Sequence, residues 1–282
     1  MKEFGYKNAT TITEALTLLD GQNARVVAGG TNVLPYIRSG KYTDCRLINI
    51  RDIKDLNFIK EDSDRITIGA CVTISQLKKS KLILEFVPAL HQAACVFADP
   101  TICNTATVGG NLASASPAAD TAPALLVHDA IVFIKSLNSS RSVPLSEFFK
   151  APGTTVLQRN ELITHIEISK QKNSGFIKLG MRKSMSISIV TAASSVTLND
   201  AGIISSCKIA LGAVAPTPIR AAHTERFLLS KKPDDDTLSA LIKATNLDIS
   251  PIDDIRASAD YRREVTPVMV KRAIKLALYE HC

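Results

Sequence analysis

Two stretches of small, polar and glycine-rich sequence are the parts of this chain best suited to hold a ligand. The longer, residues 104–120, reads NTATVGGNLASASPAAD. It carries one charge, Asp120, and no side chain large enough to build a core. Glycine lets a backbone come close to another group, and Thr, Ser and Asn supply hydrogen bonds to oxygen-rich ligands. The shorter stretch runs Arg25, Val26, Val27, Ala28, Gly29, Gly30, Thr31, Asn32, Val33, Leu34. It reads as a short apolar strand entering a Gly-Gly turn. Consecutive backbone N–H groups in such turns form anion-binding concavities. Two such segments in one chain fit a ligand with more than one phosphate. Neither is the G-x-G-x-x-G of a dinucleotide fold or the G-x-x-x-x-G-K-S/T of a P-loop.

The remaining reactive residue types supply no catalytic set. The histidines, at 91, 128, 165, 223 and 281, show no metal-ligand spacing, and no G-x-S-x-G elbow is present. His128 and His165 lie in apolar neighbourhoods and read as structural. The cysteines, at 45, 71, 95, 103, 207 and 282, never fall at C-x₂-C spacing, which argues against zinc or an iron–sulfur cluster on this chain. Cys103 reads as a small buried hydrophobe. The run Asp234-Asp235-Asp236 reads as a helix start, where negative charge is favoured, rather than a metal site. The absence of an evident catalytic set, beside loops suited to a phosphate-bearing cofactor, fits a protein whose bound cofactor does the chemistry.

Composition narrows the class further. The chain has 282 residues, 45% hydrophobic and 22% charged, enough for two domains or one large one. Its net charge of +7 is spread along the sequence and reads as a solvated surface. The absence of Trp and a 5% aromatic content argue against a base-stacking nucleic-acid surface. The first residues form no apolar signal core, and no apolar run is long enough to span a membrane. Scattered single cysteines fit a reducing compartment, so a cytoplasmic location is expected.

The elements that must position the two stretches follow from periodicity and caps. Thr11-x-x-Glu14 and Thr73-x-x-Gln76 are capping patterns. The first opens a helix over about 12–19 ending near Gly21, and the second a helix carrying Leu77. Strands are expected at 25–28, 46–50, 56–60, 65–69, 130–134 and 162–168, with short helices at 34–37, 88–97, 123–128 and 144–149. The polar run 170–175, KQKNSG, is the expected boundary. Beyond it, 176–182, 189–198 and 203–214 form an antiparallel meander, followed by helices at 224–229 and from Asp234. The final helix is expected to start at Thr266 with Pro267 in its first turn. It would bury Val270, Ile274, Ala277 and Leu278.

Together, VAGGTNVLP and the later NTATVGGNLASASPAAD resemble the FAD-binding subunits of the molybdenum hydroxylases, the xanthine dehydrogenase and carbon monoxide dehydrogenase flavoprotein family. FIKLGMR (176–182), AVAPTPIR (213–220) and RASADYRR (256–263) extend the resemblance over nearly the whole chain. The VAPTPIR stretch (214–220) in particular resembles bacterial xanthine dehydrogenase flavin subunits. The resemblance implies an α+β fold. A vanillyl-alcohol-oxidase or PCMH-type FAD-binding domain would span 1–172, in subdomains of about 1–54 and 55–172. A C-terminal domain, 173–282, would carry a three-stranded antiparallel sheet with helices. It implies FAD held along its pyrophosphate by Arg25 to Leu34, with the Thr31 and Asn32 side chains in contact. Ala106, Thr107, Val108, Gly109 and Gly110 would form a second wall. Asp120 would meet the ribitol or ribose, Leu162 or Ile163 would give an apolar contact, and Lys178 would lie near the flavin ring.

The chain departs from many relatives at Cys103, where they have arginine, and at Ser186, where they have an acidic residue. The implied role is an electron-transfer subunit in a heterotrimer. A large molybdopterin-binding subunit and a small subunit with 2Fe-2S clusters would be its partners, and NAD or another acceptor would take the electrons. A flavin-free scaffold subunit and a stand-alone FAD oxidoreductase are the alternatives.

Overall fold

The computed structural model describes residues 4–20, 23–43, 45–182 and 185–279. The first sheet is parallel, with strands β1 (Gly5–Asn8), β2 (Ala24–Val27) and β3 (Arg46–Asn49) in the order β1-β3-β2. Parallel neighbours cannot be joined by a tight turn, and the helix Ile12–Leu19 makes the first crossover. The Thr11 hydroxyl caps it by accepting from the Glu14 amide. The return half of that box is displaced by one residue, because the Glu14 carboxylate accepts from the amide and hydroxyl of Thr10. The expected end near Gly21 lies outside the described residues. β3 is buried on both faces. Leu47 packs with Val27 and Ile37, and Ile48 with Leu16 and Leu19, as alternation of side chains along a strand requires.

The second sheet is antiparallel, in the order β4-β5-β10-β6-β7. Its strands are β4 (Ile59–Glu61), β5 (Arg65–Gly69), β6 (Ile131–Lys135), β7 (Ser140–Pro144) and β10 (Leu162–Ser169), and a small hairpin, β8 (Phe149–Ala151) and β9 (Thr154–Thr155), precedes β10. Ile66, Ile68, Val132, Ile134, Ile166 and Ile168 form one core with Leu90, Val108, Leu112 and Leu125 from the covering helices. The capping box at Thr73 and Gln76 is complete in both directions.

The third sheet begins inside the expected boundary run. β11 (Ser174–Gly180), β12 (Ser188–Leu198) and β13 (Ile204–Gly212) form the expected meander, and a two-residue edge strand, β14 (Ile219–Arg220), adds a fourth member. The helix Ala259–Tyr279 packs on β11 and β12. Asp234 caps the helix Asp235–Ala240 by accepting from the Thr237 amide, so the acidic run serves a helix start.

Two expectations need correction. The last helix starts well before Thr266, and Pro267 lies inside it. Arg262 is buried and donates to the carbonyl of Ala213 while pairing with Asp254, and the Thr266 hydroxyl donates to the Arg262 carbonyl. These contacts hold the early turns in place against the usual cost of an internal proline. The second glycine stretch is not an open loop: Val108–Ala113 is a short helix with both glycines in its first turn. The Thr107 hydroxyl accepts from the Gly110 amide, and the Val108 and Gly109 amides donate to the carbonyls of Val72 and Ala70, bonds that offset the segment's low helix propensity.

One buried histidine ties the second sheet to the third. His128 is fully buried at the end of the helix Thr121–Val127. Its Nδ1 lies 3.0 Å from the Ser169 carbonyl and its Nε2 3.1 Å from the Ser174 hydroxyl. The network assigns the proton to Nδ1, with Nε2 accepting. Burial pushes its pKa down from 6.5 to about 4, so the ring is neutral.

Candidate cofactor cavity

Close backbone contact joins the two glycine stretches. A Cβ on Gly29 would stand 1.9 Å from the carbonyl oxygen of Thr105, so only glycine allows this approach. Gly30 follows in the left-handed region, with φ +72°. Gly109 lies against Ala70: its amide donates to the Ala70 carbonyl, and a Cβ there would come within 2.7 Å of the Ala70 Cβ. A side-chain bridge completes the junction. The Asn32 amide donates to the Ser114 hydroxyl at 2.7 Å, and that hydroxyl donates to the Gly110 carbonyl.

Between these segments is a cavity of about 410 Å³, within the usual range of cofactor sites. Of the first stretch, Arg25, Val26, Ala28, Gly29, Gly30, Thr31, Asn32 and Val33 line it; of the second, Ala106, Thr107, Gly109 and Gly110 do. Leu162 and Ile163, at the start of β10, form part of the wall. Val27 and Val108 are instead core residues, and Leu34 is exposed. Strand and helix periodicity accounts for this, because neighbours in a continuous stretch point to different sides.

Asp120 and Lys178 are brought together, but behind the cavity rather than on its wall. Lys178 Nζ donates to Asp120 Oδ2 at 2.7 Å, and both side chains are buried. Burial pushes the Asp120 carboxyl above its ordinary value, against the opposing pull of Lys178 and of hydrogen bonds from Lys178 and Ser188. Lys178 also donates to the carbonyls of Val96 and Phe97, and Phe97 is a wall residue.

Several wall residues escaped the sequence reading. Asn111 and Ser114 lie within the 104–120 stretch, whose polar composition carried the signal. Tyr36, Lys41 and Tyr42 come from the helix Val33–Arg38 and the turn after it. The Lys41 ammonium lies 4.0 Å from the Tyr36 ring centroid, and the Arg25 guanidinium 4.7 Å from that of Tyr42. Glu161 belongs to the wall and accepts a two-pronged bond from Arg141, at 2.8 and 2.7 Å. That pairing holds its carboxyl below the ordinary value.

The donor set suits a phosphate-bearing ligand. Arg25 Nε is buried at the wall without a hydrogen-bond partner, an unusual state for a guanidinium. Glycine positions that a Cβ would obstruct leave the backbone accessible beside it. Among the described residues, no cluster of His, Cys, Asp or Glu could hold a metal ion. The five described cysteines are free, and Cys103 is buried with its thiol donating to the Ala98 carbonyl. The Ser186 hydroxyl accepts from the Met181 amide, so it ties the β11–β12 connection. No helix among the described residues is long and apolar enough to cross a membrane.

Comparison with known proteins shows the family. Residues 2–170 match the FAD binding domain in molybdopterin dehydrogenase, and residues 176–277 the CO dehydrogenase flavoprotein C-terminal domain. The chain is 32% identical to the xanthine dehydrogenase FAD-binding subunit of Escherichia coli O157:H7, over 97% of this chain and 95% of that one. It is 30% identical to the glyceraldehyde dehydrogenase medium chain of Sulfolobus acidocaldarius, over 97% and 98%. A chain of carbon monoxide dehydrogenase from Hydrogenophaga pseudoflava superposes with a TM-score of 0.93 at 30% identity, covering 100% of this chain and 99% of that one. The chain therefore belongs to the family of FAD-binding subunits of the molybdenum hydroxylases.

Proposed function

We propose that this chain is the FAD-carrying electron-transfer subunit of a multi-subunit molybdenum hydroxylase. The observation that carries the reading is the cavity, enclosed by both glycine stretches and holding the unpartnered Arg25 Nε. Arg25 and the backbone from Gly29 to Asn32 would neutralise and hydrogen-bond the pyrophosphate, with Thr31 offering a hydroxyl. Ala106, Thr107, Gly109 and Gly110 would close the opposite side, and Leu162 and Ile163 would shield an apolar part of the cofactor from water. Asp120 and Lys178 would support the wall from behind. Bound FAD supplies an isoalloxazine ring that can take electrons singly and release them as a pair. On this reading the chain adds no acid or base of its own and serves to bind and orient the ring.

Relatives are named as medium chains or subunits of carbon monoxide dehydrogenase and of a 6-hydroxypseudooxynicotine dehydrogenase complex. They support partners here of the same kind: a large molybdenum-binding subunit and a small iron–sulfur subunit, with NAD or another acceptor at the far end. The chain and its partners should be purified gently from the host, with flavin, iron and molybdenum quantified together. Flavin on this chain, with iron and molybdenum on two partners, is the expected result. Partners arriving without flavin, and a purified chain that does not bind added FAD, would overturn the reading in favour of a scaffold. Flavin with neither partners nor metals would favour a stand-alone flavoprotein.

A further inference from the structure

The seam between the second and third sheets converges on one carboxylate. Asp120 precedes the helix Thr121–Val127 and is 5% exposed. Ser188, the first residue of β12, has no exposed surface, and its hydroxyl donates to Asp120 Oδ1 at 2.5 Å. Lys178 of β11 occupies Oδ2. Its other two bonds go to the carbonyls of Val96 and Phe97, each at 3.1 Å, so all three ammonium protons are used. Phe97 is a wall of the cavity. On the other side, the Thr121 hydroxyl donates to Oδ1 of Asn111, a second wall residue. Asp120 and its neighbour Thr121 thus reach the cavity by two routes.

We propose that Ser188 is a positioning residue for the flavin cavity. Its hydroxyl fixes the Asp120 carboxylate so that Lys178 can tie the third sheet to the Phe97 wall. The inference rests on the FAD reading above. A carboxylate in a buried site is free to rotate or take up a proton unless both oxygens are held. Lys178 holds one oxygen and Ser188 the other. Among the described residues, Lys178 on β11 is the charged group acting on Asp120; β12 presents only the Ser188 hydroxyl, and the chain at 96–97 presents only carbonyls. Removing the hydroxyl leaves burial less opposed, so Asp120 takes up a proton at higher pH. A protonated Asp120 no longer balances the ammonium, and the hold of Lys178 on Phe97 slackens. The bland alternative is that Ser188 is a small residue filling space. A space-filling residue would not alter the titration of Asp120.

The test uses the full chain, wild type and Ser188→Ala, with two readouts. The first is the titration of the Asp120 carboxyl carbon by NMR in flavin-free protein. The second is the FAD dissociation constant as a function of pH. Ser188→Ala should raise the Asp120 midpoint by about one to two pH units. The acid loss of FAD affinity should move upward by the same interval, while alkaline affinity stays within about threefold of wild type. Asp120→Asn serves as a second variant. It cannot titrate, so it should flatten the pH profile over that range. An unchanged midpoint in Ser188→Ala overturns the proposal, as does a moved midpoint with an unmoved FAD profile. A profile that still falls in Asp120→Asn also overturns it. Wild type that binds no FAD while the Asp120 midpoint still moves would overturn the functional reading, and this proposal with it, by a distinguishable route.

Discussion

Replacing Gly29 with alanine tests the central feature of the cavity most directly. The added Cβ would lie 1.9 Å from the Thr105 oxygen and 2.6 Å from the Thr105 carbonyl carbon. Both are backbone atoms, so no side-chain rotation relieves the clash. Ordinary packing requires the two glycine segments to separate by about 1 Å or more. Overpacking of this kind costs about 1–3 kcal/mol of stability. The larger effect falls on the ligand. A shift of that size removes backbone donors from hydrogen-bond range of a pyrophosphate, and each bond to a charged oxygen is worth about 1.5–3 kcal/mol. Loss of two such bonds weakens FAD binding by about 10²- to 10⁴-fold. The assay is FAD titration by fluorescence quenching, with circular dichroism to show that the variant is folded. Gly202→Ala is the control, because an alanine there, at φ +71°, strains the backbone but meets open space. It should lose about 1 kcal/mol of stability and no FAD affinity. A folded Gly29→Ala variant that binds FAD within about fivefold of wild type would refute the argument from close approach.

Other perturbations address the parts separately. Arg25→Ala removes the cavity guanidinium, whose Nε lacks a hydrogen-bond partner, and should weaken FAD binding by about 10- to 100-fold, measured by the same titration, with a shallower salt dependence than wild type. His128 has a folded pKa lowered from 6.5 to about 4, so the unfolded chain binds the extra proton over that window and stability is lost as pH falls through it. The full loss is about 3 kcal/mol, of which about 2 kcal/mol is gone by pH 5; urea unfolding at pH 7 and pH 5 should show this in wild type and less of it in His128→Gln. Arg141→Ala leaves the Glu161 carboxylate at the cavity wall without its two-pronged partner. It should cost about 2 kcal/mol, read as a lowered thermal midpoint, and weaken FAD binding; an unchanged midpoint would show that water replaces the arginine.

What could be read from the sequence depended on how local its cause was. Gly29 and Gly30 stood out because glycine pairs with hydroxyl and amide neighbours are visible in one short window, and Thr73 with Gln76 because a capping box closes within one turn. The meander of β11 to β13 followed from three strand-like segments beyond the polar run 170–175. The start of the last helix did not, because Thr266-Pro267 is a sound local helix start, overruled by Arg262 reaching Ala213 and Asp254. The sequence showed a run of small residues at 107–113 but not its helical form, which depends on the Thr107 cap and on the Val108 and Gly109 amides donating to the carbonyls of Val72 and Ala70. Phe97, Ile102 and Glu161 reach the wall through tertiary packing alone and had no local signature.

On the proposed reading, Asp120 and Lys178 would belong to the site without touching the space inside it. The resemblance put both at the cofactor, and the structure pairs them beneath Phe97. An ammonium that already donates to one carboxylate and two carbonyls has no proton left for a ligand. Direct contact with flavin would therefore require breaking one of these bonds, and the two carbonyl bonds are the weaker candidates at 3.1 Å. Its charge still acts at a distance, partly cancelled by Asp120. On the proposed reading, the net pull of the Lys178–Asp120 pair on a reduced, anionic ring would depend on whether Asp120 is ionised. That would link the proton state of a buried carboxyl to the ring's affinity for electrons. Lys178→Met should accordingly lower the flavin midpoint potential, and potentiometric titration should find the smallest shift at pH values where losing the ammonium also lets burial protonate Asp120, so that the net charge of the pair is unchanged.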